Sequence, residues 1–234
     1  MIQLTQPLHH AYGVSGNADM LVHQILRALE ESVGFAAKGN PDFRAERHEV
    51  LGIDEARALK EAAERTAVTG GKKVFIVSAR GITHQAQNAL LKIFEEPPLG
   101  THFFLIVPSL ELLLPTLRSR MTLLRASDSR HENQMLVETA RFLAAPPAAR
   151  LATVQTMLKA LEEEKKEKED STEALVEKGK IFAFLDDIER KLGEDSVKNS
   201  AALSELLEVK KYSRDRAPSL KLLLEHLALV LPRK

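Results

Sequence analysis

The sequence predicts a parallel α/β sheet followed by an all-helical region. Short apolar runs alternate with helical periods up to about residue 127, which is typical of a parallel sheet wound with helices. Two of these runs, Val74–Ser78 and His102–Val107, are apolar over most of their length, as strands covered on both faces are. The rest of the chain contains few glycines and has the pattern of successive helices. We therefore expect an α/β domain over residues 1–127 and a helical domain over residues 128–234.

The elements of the α/β domain follow from these patterns. The predicted strands are His10–Val14, Phe43–Arg47, Val74–Ser78, His102–Val107 and Thr122–Arg125. The predicted helices are Ala18–Val33, Asp54–Ala67 and Thr83–Glu96. Asp54 and Thr83 are the expected first caps of the second and third helices, because short polar side chains accept the N–H groups left free there. Pro97 and Pro98 end the third helix.

Five further helices are predicted in the second domain, separated by prolines and polar stretches. They are Asn133–Ala145, Ala148–Lys168, Thr172–Leu192, Ser196–Ser213 and Ser219–Leu231. Pro146 and Pro147 separate the first two of these helices, and Pro218 opens the last in a position that suits proline.

Composition excludes several classes of function. The 234 residues include 33 basic and 33 acidic side chains, so the chain is not a basic nucleic-acid-binding arm. Cysteine is absent, which excludes disulfides, thiolate zinc sites and a cysteine nucleophile. The histidines form no H-x-x-x-H pair, so no metal site is predicted. No apolar run approaches the roughly 20 residues of a membrane span, and we expect a soluble, cytoplasmic protein.

The region His10–Val33 has the order strand, turn, helix of a nucleotide-binding P-loop but lacks its chemistry. A P-loop needs G-x-x-x-x-G-K-[ST], whose backbone N–H groups cradle phosphates while the lysine reaches the terminal phosphates. With Gly16 as the first glycine, Val22 takes the lysine position, and no lysine precedes Lys38. Asp19 would place a negative charge in the first helical turn, where a phosphate would lie.

The magnesium-binding half of such a site is missing as well. An acidic pair should follow the third strand, where it would hold the metal and orient the attacking water. Ser78 and Ala79 stand there instead. We therefore predict a degenerate nucleotide site, no intrinsic ATP hydrolysis, and no ATP, magnesium or zinc on this chain. The residues assigned to that degenerate site are Gly16, Val22, Ser78 and Ala79.

Four segments together carry a specific family resemblance. They are NPDFR (Asn40–Arg44), LGIDEARAL (Leu51–Leu59), GGKKVFIVSARGITHQAQNALLKIFEEPPLGTHFFLIV (Gly70–Val107) and LLPTLRSRM (Leu113–Met121). Over roughly Leu8–Arg125 the chain resembles the AAA+ clamp-loader family, and within it the delta-prime type of bacterial DNA polymerase III. The resemblance implies an AAA+-like, P-loop-type sheet followed by helical lid and collar regions. Here these would be a reduced lid with a shortened collar, or a single helical domain serving as the collar.

The resemblance also implies a role and a set of partners. The family's delta-prime subunits are non-catalytic members of a ring that loads the sliding clamp on primed DNA, within the DNA polymerase III holoenzyme. The implied partners are ATP-binding clamp-loader subunits, the clamp-opening subunit, the clamp and primed DNA. The chain would be part of a hetero-oligomer, and no membrane is among its expected partners. The family lends an arginine from a Ser-Arg-Cys motif to the neighbour's ATP, and Ser119 and Arg120 match it here, with Met121 replacing the cysteine. Arg118 would lie on the same side of an extended segment, and the resemblance selects Arg120.

The third helix carries the candidate DNA contacts. Gln87, Asn88 and Lys92 are polar residues that lie beside its apolar side. In related clamp loaders helices of this region face the DNA, while an ordinary solvated surface explains the same pattern. Glu95 and Glu96 oppose the helix dipole mildly, and a capping or interface contact is left open for them. Two alternatives stay open: a divergent AAA+ ATPase with an unusual nucleotide-binding loop, and an AAA+-derived adaptor or scaffold outside replication.

Overall fold

Five parallel strands form a single sheet in the part of the chain that the structure describes. They are β1 (Ala11–Ser15), β2 (Phe43–Leu51), β3 (Lys73–Ile82), β4 (Thr101–Val107) and β5 (Thr122–Arg125). Their spatial order is β2-β3-β4-β1-β5, and every pairing is parallel. The structure is a computed structural model that describes residues 2–69, 71–125, 132–165, 172–213 and 219–232. It divides into two units, Met1–Asp128 and Ser129–Lys234.

Four helices connect the strands. They are α1 (Ala18–Val33), α2 (Ile53–Glu64), α3 (His84–Glu95) and the short α4 (Pro115–Arg118), which follows a 3-10 turn at Leu110–Leu112. Successive side chains of a strand point to opposite faces of the sheet, and each face has its own apolar core. Ile76 and Phe104 pack with α1 on one face, while Phe75 and Phe103 pack with α2 and α3 on the other. Burial on both faces explains the apolar runs of β3 and β4 and confirms the predicted sheet.

The predicted ends of the helices agree with the structure where a local capping residue determines the end. Helix α1 has the predicted bounds, and the Thr83 side chain caps α3 by accepting a hydrogen bond from the Ala86 N–H at 3.1 Å. Strands β2 and β3 both run four residues beyond their predicted ends, because they pair with each other along their length. The prediction that Asp54 caps α2 is wrong. Gly52 lies at the cap, and its N–H donates to the Glu55 carboxylate at 3.1 Å.

The second unit consists of helices in its described residues. They are α5 (Glu132–Ala144), α6 (Pro147–Lys165), α7 (Thr172–Gly193), α8 (Ser200–Tyr212) and α9 (Leu220–Val230). Each corresponds to a predicted helix, and Pro218 lies outside the described residues. Within the described ranges, no helix is both long enough and apolar enough for a membrane crossing. The α/β sheet followed by a helical region is therefore the predicted fold class.

A buried arginine joins the ends of two helices in the second unit. Arg150 is only 1% exposed, and its guanidinium donates to the carbonyls of Phe142 and Leu143 in the last turn of α5. It also donates to the carbonyls of Leu231 and Pro232, which follow α9. Carbonyls at helix ends lack intrahelical partners, and a cation near them also interacts favourably with the helix dipole. Arg150 therefore stabilises the arrangement of α5, α6 and α9.

Candidate functional site

The residues predicted to carry chemistry collect at two opposite edges of the sheet. Because all five strands are parallel, their carboxyl ends share one edge and their amino ends share the other. Gly16 follows β1 directly and lies at the carboxyl edge, where ligands bind in open α/β sheets. Ser119 and Arg120 directly precede β5 and lie at the amino edge.

A pocket of about 160 Å³ marks the carboxyl edge. Gly16, Ser78 and Ala79 line it, together with Arg47 and Arg80 from β2 and β3. Three of the four residues predicted for the degenerate nucleotide site therefore meet in one place. Small-molecule and cofactor pockets usually measure roughly 300–1,000 Å³, so this pocket is small for a nucleotide.

The turn between β1 and α1 is too short to form a phosphate cradle. Only Gly16 and Asn17 separate the strand from the helix. Gly16 adopts φ 135°, a conformation that favours glycine, and its N–H donates to the Val107 carbonyl at 3.1 Å. The Asn17 side chain accepts a hydrogen bond from the Met20 N–H at 3.2 Å. The start of α1 is thus capped by the chain itself, where a P-loop would hold phosphate.

Val22 does not belong to this pocket. It lies in the second turn of α1 and packs against the apolar core on that face of the sheet. The alignment that gives Val22 the lysine position is therefore wrong, because the shortened turn moves the helix start towards Gly16. Among the described residues that line the pocket, none is a lysine.

The charged side chains at the carboxyl edge pair with each other. Arg47 Nη1 donates to Asp19 Oδ1 at 2.6 Å, and Arg80 Nη1 donates to Glu49 Oε1 at 3.0 Å. Asp19 lies in the first turn of α1, as predicted. The Ser78 hydroxyl donates to a backbone carbonyl of β2 at 3.2 Å, and Ser78 lies inside β3 rather than after it. The pocket's described lining therefore contains neither the P-loop lysine nor the acidic pair of an ATPase, and its two arginines are paired with carboxylates.

An open depression of about 510 Å³ lies at the amino edge. Ser119 and Arg120 are in its wall, as are Glu95 and two histidines, His9 and His10. The Arg120 side chain is 31% exposed, and its Nε donates to Glu95 Oε1 at 2.8 Å, while Nη2 binds the same oxygen. The predicted arginine is therefore accessible, and a carboxylate from α3 holds it.

The position of the family's cysteine is filled by an apolar side chain. Met121 is 8% exposed and packs in the core that covers α2 and α3. Met121 is the last residue of the predicted motif, and its burial fixes the position of the backbone directly after Arg120. The replacement of cysteine by methionine therefore keeps a core side chain at this position.

Arg118 and Arg120 have different surroundings. Residues Pro115–Arg118 form the helix α4, so the expectation of an extended segment with both arginines on one side is wrong. Arg118 Nη1 donates to Glu111 Oε2 at 3.0 Å and does not line the depression. Of the two arginines, Arg120 is the one that borders the open space.

Burial keeps two histidines near the depression neutral. Desolvation lowers the pKa of His102, whose Nδ1 donates to the His9 carbonyl at 2.9 Å. Desolvation, followed by the neighbouring His9, also lowers the pKa of His10. Arg120 is therefore the permanent cation in the wall of this depression at neutral pH.

Helix α3 presents two of the three predicted DNA-facing residues. Asn88 and Lys92 are exposed on its outer surface. Gln87 is only 1% exposed, with Nε2 donating to the Leu112 carbonyl at 3.1 Å and Oε1 accepting from the Leu114 N–H at 2.6 Å. The prediction that Gln87 faces DNA is wrong, because this side chain binds the backbone that leads into α4.

A metal centre has no support in the described part of the chain. No three histidine, aspartate or glutamate side chains there are arranged to hold a metal ion.

Sequence reasoning also missed one residue, Glu95, which lies against Arg120. Its signal was the unfavourable position of a carboxylate at the carboxyl end of a helix.

Comparisons with known proteins find similarity over part of the chain. A family model described as DNA polymerase III, delta subunit, matches residues 28–129, a range that contains Ser119 and Arg120 but not Gly16. The DNA polymerase III subunit delta' of Escherichia coli K12 is 47% identical over 74 residues, which are 31% of this chain and 22% of that protein. The delta' subunit of Haemophilus influenzae Rd is 29% identical over 137 residues, 48% of this chain and 41% of that protein. The chain thus covers well under half of these relatives' length.

A solved structure also aligns with the chain at low similarity. A DNA polymerase III gamma subunit-related protein from Thermotoga maritima aligns with 94% of this chain and 93% of its own, at 19% identity and a TM-score of 0.46.

Proposed function

We propose that this chain, as a member of the delta-prime family of DNA polymerase III clamp-loader subunits, donates Arg120 in trans to a neighbouring subunit's ATP site. In this role it helps to load the sliding clamp on primed DNA without hydrolysing ATP itself. The observation that carries the proposal is the position of Arg120. It is an accessible, permanent cation at the amino edge of the sheet, away from the chain's own pocket.

Arginine suits the reaction that it would assist. Its guanidinium is planar, is always charged and offers N–H groups in a fork that matches phosphate oxygens. In phosphoryl transfer, an arginine supplied by a neighbouring molecule neutralises charge that develops in the transition state, and it accelerates hydrolysis by roughly 10³–10⁵-fold. Arg120 needs no proton transfer for this role, because it acts only through charge and position.

The two edges of the sheet suit a ring. In a head-to-tail assembly each subunit offers one surface to one neighbour and a different surface to the next. A subunit whose own pocket lies at the carboxyl edge and whose arginine lies at the amino edge has the two surfaces that such an arrangement needs. The hetero-oligomer would contain ATP-binding subunits, the clamp-opening subunit and the clamp, in the cytoplasm.

The chain's own pocket supports a subunit that does not hydrolyse ATP. Its volume is about 160 Å³, Asn17 caps the start of α1, and Asp19 adds a negative charge in the first turn. We propose that Gly16, Ser78 and Ala79 mark a nucleotide site that has lost its function. Equilibrium binding of a fluorescent ATP analogue to the isolated chain distinguishes this proposal from a divergent ATPase, since micromolar affinity would contradict it.

Two further assignments complete the proposal. Asn88 and Lys92, exposed on α3, are the proposed contacts to the DNA backbone, which an amide and a cation suit. The helical unit, Ser129–Lys234, is proposed as the lid and collar part of the subunit.

The arginine role is tested by ATP hydrolysis in a clamp loader reconstituted with the chain's own ATP-binding subunits, the clamp and primed DNA. We expect Arg120→Ala to remove hydrolysis at the one ATP site that this chain completes, with a loss of about 10³-fold or more at that site. Arg118→Ala is the matched control: Arg118 lies two residues before Arg120, pairs with Glu111 instead of bordering the depression, and its removal should leave the rate unchanged. Wild-type hydrolysis by Arg120→Ala, with the complex intact, would refute the proposal.

A further inference from the structure

We propose that Glu95 is a positioning residue for Arg120, and that its carboxylate holds the guanidinium ready for the neighbour's phosphate. This inference rests on the proposed function of Arg120. Glu95 is the last residue of α3, and its Oε1 accepts from both Nε and Nη2 of Arg120. The two residues are 25 positions apart in the chain, so the fold is what brings them together.

The contacts of Arg120 hold its guanidinium from two sides. Glu95 binds the edge formed by Nε and Nη2, while Nη1 donates to the Thr116 carbonyl in α4. Nη1 also donates to the Ser119 hydroxyl at 3.4 Å, so these contacts use four of the five N–H groups of the guanidinium. One N–H group of Nη2 therefore remains for a phosphate, and the 31% exposure of the side chain leaves a path to it.

The position of Glu95 on its helix is unfavourable unless the carboxylate has a partner. A negative charge at the carboxyl end of a helix faces the negative end of the helix dipole. The ion pair itself is partly exposed on both sides, with 46% of the Glu95 side chain accessible, and exposed pairs contribute little to stability. The ion pair thus contributes little to the stability of the fold. Its chemically useful consequence is that it orients the Arg120 guanidinium.

Orientation matters because arginine is long and flexible. A free arginine side chain samples many rotamers and loses that freedom when it binds a phosphate. Glu95 and the Thr116 carbonyl restrict these rotamers before the neighbouring nucleotide arrives. Preorganisation of this kind lowers the loss of freedom at the moment of use, which raises the rate of the chemical step.

The test uses the reconstituted clamp loader with primed DNA and clamp. Glu95→Gln keeps the size of the side chain and one oxygen acceptor but removes the charge. We expect the kcat of the ATP hydrolysis that depends on Arg120 to fall by about fivefold, the range of a weak ion pair, while the KM for ATP stays unchanged. The Arg120-dependent part is defined as the hydrolysis that Arg120→Ala removes.

Two controls separate positioning from a general effect of charge or folding. Glu96→Gln removes the same charge one residue further on, at an exposed position, and should leave kcat unchanged. In an Arg120→Ala background, Glu95→Gln should cause no additional loss. Full or increased activity of Glu95→Gln overturns the inference and leaves the arginine role intact. Full activity of Arg120→Ala overturns the arginine role and the inference together.

Discussion

Gln87 offers the sharpest test of how α3 is used, because sequence and structure assign it different roles. Its amide joins α3 to two backbone groups, the Leu112 carbonyl at 3.1 Å and the Leu114 N–H at 2.6 Å. Gln87→Met keeps an unbranched side chain of similar length and removes both hydrogen bonds. The substitution therefore isolates the contribution of the amide to the segment that leads into α4.

The expected loss follows from the two backbone groups that remain. Each loses a hydrogen bond in a partly buried position, and leaving such a group without a partner costs about 1–1.5 kcal/mol. The free energy of unfolding should therefore fall by about 2–3 kcal/mol. For a unit of this size that corresponds to a fall in Tm of roughly 6–12 °C.

Scanning calorimetry of the full chain measures this shift, and fluorescence anisotropy with labelled primed DNA measures binding by the reconstituted complex. Asn88→Ala is the matched control, since Asn88 is the exposed neighbour and surface changes alter stability by about 0.5 kcal/mol or less. A Gln87→Met chain with wild-type Tm and weakened DNA binding would refute the structural role and restore the predicted DNA contact.

Two further predictions concern stability. Arg150→Met should lower the free energy of unfolding of the helical unit by about 4 kcal/mol, roughly 1 kcal/mol for each of the four carbonyls that lose their hydrogen-bond donor. Urea denaturation followed by circular dichroism measures the loss. Lys211→Met, at an exposed pair with Glu208 in the same unit, should change this free energy by about 0.5 kcal/mol or less, and equal losses in both variants would contradict the role of Arg150. Burial lowers the pKa of His102 in the folded chain, so the unfolded chain binds the proton first and stability falls as the pH drops below about 6.5. His102→Gln should therefore reduce the slope of Tm between about pH 7 and 5 in calorimetry, and an unchanged slope would contradict this.

The sheet could be predicted from the sequence because burial leaves a local pattern. Continuous apolar runs within β3 and β4, VFIV and FFLIV, rather than apolar residues at alternate positions, indicate strands covered on both faces. Helix α1 follows from its periodicity between the polar Asn17 and Gly34, which adopts the left-handed conformation at its end. These signals lie within a few residues of the structure that they specify.

The errors at the candidate site arise where the deciding partner is distant in the chain. Gln87 lies three residues before Leu90 and seven before Phe94, on the buried side of α3, but its partners in the segment 112–114 follow no pattern that names them. Glu95 likewise gains its meaning from Arg120, 25 residues away. Tertiary contacts of this kind determine how such side chains are oriented, and residue types alone do not determine it.

The misplacement of Val22 has a different cause. Without the P-loop's own residues the length of its loop is not visible in the sequence, so counting from Gly16 could not locate the position that corresponds to the P-loop lysine. The turn holds only two residues, and the helix begins at Ala18. The absence of a lysine before Lys38, and of an acidic pair at Ser78 and Ala79, was nevertheless visible in the sequence.

The arginine role is tested most directly by electron cryomicroscopy of the reconstituted clamp loader on primed DNA with ADP and aluminium fluoride, a mimic of the transferred phosphate. The measurement is the distance from the Arg120 guanidinium to the fluoride or phosphate oxygen atoms in the neighbouring subunit. A distance of about 3 Å, with the chain's own pocket empty of nucleotide, is the predicted result. An Arg120 that reaches no nucleotide, while a different side chain contacts the neighbour's phosphate mimic, would contradict it.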